Sequence, residues 1–143
     1  MIWDTLKPQH YHTEPVEHLL ATNLVQLNDY DKLYENQKNT QHNVWKEFCD
    51  KNKTNAVLHE NFDKLDFNRD VICLWFFKER NDGTSAYVHV GGKQVKYYPN
   101  VLLLTKSKSI KFFHSTRKYI RSPVFQMHMD LDYYNKILKK FQK

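Results

Sequence analysis

The sequence predicts an α+β domain in which N-terminal helices pack on an antiparallel β-barrel or sandwich, a set that includes the jelly roll. Three observations predict it. Helix-period patterns recur over 27–37 and 40–52, and six or seven short β-prone runs follow them. Turn dipeptides, Asp82-Gly83 and Gly91-Gly92, punctuate those runs. The 143 residues, 41% of them hydrophobic, suit one domain with one core. The expected division is a mainly helical part over 1–53, a β-barrel core over 54–131 and a C-terminal helix over 132–143.

Residues 1–15 read as irregular, with Pro8 and Pro15 as breakers. "VEHLLATNLV" (16–25) fits a strand or a helix. "LNDYDKLYENQ" (27–37) can be capped by Asn28 or Asp29, and Tyr30, Leu33 and Tyr34 recur at helical spacing. In "TQHNVWKEFCDKN" (40–52), Val44, Trp45, Phe48 and Cys49 form a second helical stripe. "NAVLH" (55–59) is a short apolar strand. "DVICLWFF" (70–77) is continuously apolar and β-branched, the pattern of a central strand covered on both faces. "AYVHV" (86–90), a glycine turn and "QVKYY" (94–98) make a hairpin. "PNVLLLT" (99–105) is another buried strand, and "SKSIKFFH" (107–114) follows a polar turn. "SPVFQMHMDL" (122–131) alternates, with Phe125, Met127, Met129 and Leu131 on one face and Gln126, His128 and Asp130 on the other. "DYYNKILKKFQK" (132–143) reads as a basic helix.

Composition narrows the function classes. No run of eighteen apolar residues predicts a membrane span, and the N-terminus lacks the basic and apolar regions of a secretory signal. Two cysteines, Cys73 inside an apolar run, predict buried thiol rather than disulfide and an intracellular, cytoplasmic setting. The formal charge of +6 comes from 18 lysines and four arginines against 16 acidic residues. Specific phosphate and base contacts favour arginine, so this balance is a weak signal for nucleic acid and reads first as solvated surface. Phosphate-cradling glycine loops, CxxC pairs and Gly-x-Ser-x-Gly elbows are missing.

The order and spacing of the remaining chemistry-bearing residues are more specific. "LHEN", "VICLWFF", "YVHVGGKQVKYY", "PNVLLLT", "FFHS" and "IRSPVFQMHM" follow one another, with His114 placed 55 positions after His59 and 15 after Pro99. Arg121 lies seven positions after His114 and shares parity with Phe125, Met127 and Met129, which predicts that it points into the barrel. Residues 56–131 thereby resemble the double-stranded β-helix core of the Fe(II)- and 2-oxoglutarate-dependent oxygenases, nearest to their prolyl-hydroxylase-like branch. The resemblance covers about half the chain. It implies a jelly-roll or cupin-like barrel, Fe(II) held by His59 and His114, and Arg121 as the anchor of the 2-oxoglutarate carboxylate. The implied reaction is hydroxylation of a C–H bond, with a protein or peptide side chain as substrate.

One residue departs from that pattern. The iron site needs two histidines and a carboxylate on one face of the metal. Asn61 stands where the family's His-x-Asp places the acid, and a neutral amide oxygen does not balance the metal charge. Asp63 is the replacement ligand carried forward, with Glu60 and Asp66 as further choices. Each pick has a plain alternative. His59 and His114 also suit strand-end histidines bonded to backbone, and Arg121 also suits an ion pair with Asp130 or Glu79. The alternative reading of the whole is a catalytically inactive barrel serving as a binding or assembly module. The Lys, Asn and Tyr bias fits an AT-rich genome such as that of a phage, where such a module would be an accessory or virion component. A second cluster, His10, His12 and Glu17, has the His-x-His-x4-Glu spacing of a cupin motif without its flanking glycines. A basic nucleic-acid-binding module is the third reading.

Overall fold

The computed structural model describes residues 2–22, 49–52, 55–59, 65–76, 87–96, 101–113 and 124–142. Nine strands occur among them: β1 (Tyr11–His12), β2 (His18–Thr22), β3 (Asn55–His59), β4 (Val71–Phe76), β5 (Tyr87–Val90), β6 (Lys93–Lys96), β7 (Val101–Lys106), β8 (Ile110–Phe113) and β9 (Val124–His128). They form a six-stranded sheet in the order β1-β2-β7-β4-β9-β3 and a three-stranded sheet in the order β6-β5-β8. Every pairing is antiparallel. One helix, α1 (Leu131–Lys139), follows β9.

The large sheet is covered on both faces because β4 is apolar at every position and β7 is apolar from Val101 to Leu104. Val71, Cys73 and Trp75 of β4 join Leu102 and Leu104 of β7 in one core. Ile72 and Leu74 join Leu103 and Val101 in another. Strict alternation sends successive residues to opposite faces, so an unbroken apolar run specifies a strand buried twice. Cys73 is fully buried, and that burial pushes its thiol well above the ordinary range.

The first core lies under α1 and the N-terminal segment. Tyr134, Ile137 and Leu138 form the buried stripe of the helix and meet Trp75, Phe125, Met127 and Met129. Asp130 starts the helix, its carboxylate accepting the Tyr133 amide at 2.7 Å. Residues 2–10, expected to be irregular, make two 3-10 turns, Ile2–Thr5 and Pro8–His10, and bury Trp3 and Leu6 in this core. The Trp3 indole donates to the Asn52 carbonyl at 3.0 Å, and the Lys140 ammonium donates to the Trp3 carbonyl at 2.9 Å. Trp3 and Leu6, in a short stretch ahead of Pro8, carry no extended periodicity, which is why the sequence did not reveal this clasp.

The second core lies between the sheets. Val88, Val90, Val95 and Ile110 of the small sheet meet Ile72, Leu74, Leu103 and Val124 of the large one. The β5–β6 hairpin turns through Gly91 (φ 57°) and Gly92 (φ 93°), both in the left-handed region that a two-residue turn of this type requires. Leu65 enters the same core. Gln126 holds the chain there, accepting the Asp66 amide at 2.8 Å and donating to the Asp66 carbonyl at 2.7 Å. One buried side-chain amide thereby does for Asp66 what a neighbouring strand would do.

The expected β4, β7 and α1 agree with the structure, as does the hairpin, and the ambiguous segment 16–25 contains a strand. The helix expected over 27–37 lies outside the described residues. Of the one expected over 40–52, residues 49–52 are described, and 49–51 are helical. The structure is β-rich and antiparallel with few helices. Among the described residues, no helix is long and apolar enough to cross a membrane.

Candidate functional site

Of the residues singled out by the oxygenase resemblance, His59 is described, at one end of the two-sheet assembly. His59 closes β3 opposite Val124 of β9, Val124 is opposite Phe76 of β4, and Phe76 is opposite Val101 of β7. In the small sheet, Phe113, Tyr87 and Lys96 form the matching row. Residues 97–100 join Lys96 to Val101, so the two rows sit at the same end. β3 therefore ends there at His59, and β8 ends there at Phe113, one residue before His114. Asn61, Asp63, His114 and Arg121 themselves lie outside the described residues, as does Glu60.

The structure bears on two of the sequence expectations about this site. The inward direction expected for Arg121, itself outside the described residues, rests on its shared parity with Phe125 and Met127. Those side chains instead belong to the core under α1, while Val124 lines the space between the sheets and Gln126 binds the Leu65–Asp66 segment. Odd parity on β9 is thus the helix side, because this sheet has an apolar layer on each face and hydrophobicity alone does not say which is interior. Asp66, a replacement carboxylate, is engaged elsewhere. It accepts the Asn68 amide at 2.9 Å and pairs with the Arg69 guanidinium at 3.3 Å. The Asn68 amide foremost, then Arg69 and the charge of nearby His128, hold its carboxyl below the usual range. His128 is opposite Asn55, at the far end of β3 from His59. The suggested Arg121–Asp130 pair competes with a defined role, since the Asp130 carboxylate caps α1.

The His10, His12 and Glu17 set does not converge. His10 accepts the Lys7 amide through Nδ1 at 3.0 Å. Glu17 Oε2 accepts from the Tyr11 hydroxyl at 2.6 Å and from the Gln142 amide at 2.8 Å. His12 stacks on His18 with centroids 5.0 Å apart and planes 19° apart. Stacked rings keep their nitrogen lone pairs in parallel planes, so the pair is not arranged to chelate one ion. Among the described residues, no group of three or more His, Cys, Asp or Glu is placed to hold a metal.

His18 is the residue that motif reading missed. It is fully buried opposite Thr105, and its Nδ1 lies 2.7 Å from the Val16 carbonyl, which makes Nδ1–H the donor and leaves Nε2 as a buried acceptor without a partner. Burial, then the charge of Lys93, keep the ring below its ordinary pKa of 6.5, against the opposing effect of the Val16 bond. His12 is lowered by burial, Lys93 and His18 in turn. The signal available in the sequence was its place two residues after Val16 at the head of an apolar strand.

Comparison with family models, with curated proteins and with solved structures returns no match to this chain.

The oxygenase pattern asks for two histidines and a carboxylate at these positions. The residues at the matching positions are two histidines and an amide, and the Asp66 carboxylate is paired with Arg69. A neutral third donor leaves the ferrous charge less compensated than the two-histidine, one-carboxylate set does.

Proposed function

We propose that the chain is a double-stranded β-helix protein of the oxygenase-like type that works as a binding or assembly module rather than as a hydroxylase. The observation that carries the architectural half is the nesting of the pairings. β5 pairs β6, β4 pairs β7 around them, and β3 pairs β9 outside those, with β4–β9 and β5–β8 contacts joining the layers. That order arises when one long antiparallel hairpin is rolled across two sheets, which supports a jelly roll. The functional half is supported by Asn61 and by the engagement of Asp66 with Arg69. An intracellular setting belongs to this reading and is supported by the free thiols of Cys49 and Cys73.

The test is anaerobic equilibrium dialysis against Fe(II) with 2-oxoglutarate. Wild-type protein is expected to retain no stoichiometric iron, and stoichiometric retention overturns the inactive reading. Asn61→Asp restores the acid, and a gain of iron by this variant supports a cavity that lost only its ligand.

The second reading is an active 2-oxoglutarate-dependent hydroxylase of a protein or peptide side chain. It is favoured by the shared end of β3 and β8, which brings the His59 position and the approach to His114 to one side of the assembly. In that reading His59 and His114 would hold the metal with Asp63 as third ligand, and Arg121 would bind the oxo-acid.

A further inference from the structure

The opposite end of the assembly carries a different chemistry. Here β5 turns into β6 at Gly91 and Gly92, and β7 crosses to β8 through the 3-10 turn Ser107–Ser109. The two connections are tied together, the Gly91 amide donating to the Ser109 carbonyl at 2.8 Å. Between them and Val16 lies an open hollow of about 530 Å³, lined by Val16, His89, Gly91, Gly92, Lys108, Ser109 and Lys111. That volume is in the range of small-molecule sites, roughly 300–1,000 Å³.

We propose that this hollow binds a phosphate-bearing small molecule, a phosphomonoester whose anionic group sits between Lys108 and Lys111 and whose body rests against Val16. Charge is the first argument. The described lining includes two lysines, a histidine and a hydroxyl, and no acidic side chain. Lys108 and Lys111 are exposed and have no ion-pair partner among the described residues. Lys93, next to the glycine turn, adds positive potential that reaches His12 and His18. Lysine suits this role as a compact point charge for phosphate.

Backbone access is the second argument. A Cβ at Gly92 would meet nothing within 4 Å, so a ligand can approach the turn's main chain closely there. A Cβ at Gly91 would lie 3.0 Å from the Val16 side chain, so the turn is seated firmly on the apolar wall. The site is therefore cationic at its rim and shaped by two tied turns. It stands apart from the reading of the β3/β8 end, and the substitutions that test it leave that end unchanged.

The experiment is an amide-resolved NMR titration of the full chain at constant ionic strength with inorganic phosphate, adenosine 5′-monophosphate and adenosine. Phosphate and the monophosphate are expected to give saturable shifts at Gly92, Ser109 and Lys111, and adenosine none. Lys108→Ala or Lys111→Ala is expected to weaken binding about two- to fivefold each, the range of an exposed charge pair. Lys136→Ala, on the exposed side of α1, is the charge control and leaves binding unchanged. The proposal is overturned if no saturable shift appears at these amides. It is equally overturned if adenosine reproduces the monophosphate response, or if Lys136→Ala weakens binding as much as Lys108→Ala.

Discussion

The two faces of the six-stranded sheet are both mainly apolar, yet they are built from different side chains. The face under α1 is aromatic: Trp3, Trp75, Phe125 and Tyr134 dominate it. The face between the sheets is aliphatic, made mainly of Val, Ile and Leu. Large rings fill the uneven space between a helix, a 3-10 turn and a sheet, where one side chain must span different depths. Branched aliphatic side chains fit the regular spacing of about 10 Å between stacked sheets. The helix side thus rests on large rings, whereas the inter-sheet side is built of smaller side chains and also buries the polar Thr105 and Gln126.

Breaking the aromatic side is expected to have the largest effect. Trp75→Ala removes a fully buried ring that packs 6.0 Å from Phe125, and is expected to destabilise by about 3–5 kcal/mol in chemical denaturation. A loss comparable to that of an exposed substitution would show that α1 is not seated on this face. On the inter-sheet side, Gln126→Ala deletes both bonds to Asp66 and leaves its amide and carbonyl without partners. A loss of about 2 kcal/mol is expected, with hydrogen-exchange protection of the Asp66 amide falling more than that of Leu103. A third substitution, Asp130→Ala, removes the helix cap and is expected to cost about 1 kcal/mol, seen as lower helicity before global unfolding.

The smallest effect is a pH slope. His12 and His18 both have folded pKa values below 6.5, so the unfolded chain binds protons more readily. Their contribution to stability is complete above about pH 6.5 and is lost as pH falls from there toward the folded values. Melting temperature is expected to drop between pH 7.5 and 5.5, and His12→Gln is expected to flatten that drop. Asp66, whose carboxyl is lowered from 3.8, acts in a separate window below that pH.

The comparison of faces also explains what the sequence could and could not reveal. β4 and β7 were legible because their apolar runs, Val71–Phe76 and Val101–Leu104, are unbroken, and a strand buried twice needs no phase. The hairpin was legible because Gly91-Gly92 supplies turn conformations that few other residues adopt. β9 was legible as a strand from its alternation, but not in its orientation. Phe125 and Met127 look like the interior of a barrel, yet they face α1, and a helix cover is as apolar as a second sheet. Parity with Phe125 and Met127 therefore does not by itself assign a residue to the space between the sheets. The Trp3–Leu6 clasp was hidden because its partners, Asn52 and Lys140, are remote in sequence. His18 was hidden because burial and an unpartnered nitrogen are properties of place, not of spacing. For the candidate iron site, His59 and the approach to His114 came from spacing, and the doubt over the third ligand came from a single residue type.

The most direct measurement of the central claim is succinate release from 2-oxoglutarate by the purified wild-type chain supplied with Fe(II), ascorbate and oxygen. The account predicts release no faster than in a protein-free control, because Asn61 supplies no carboxylate and Asp66 is held by Asn68 and Arg69. Turnover above that control that disappears in His59→Ala and His114→Ala would contradict it and establish the chain as a working oxygenase.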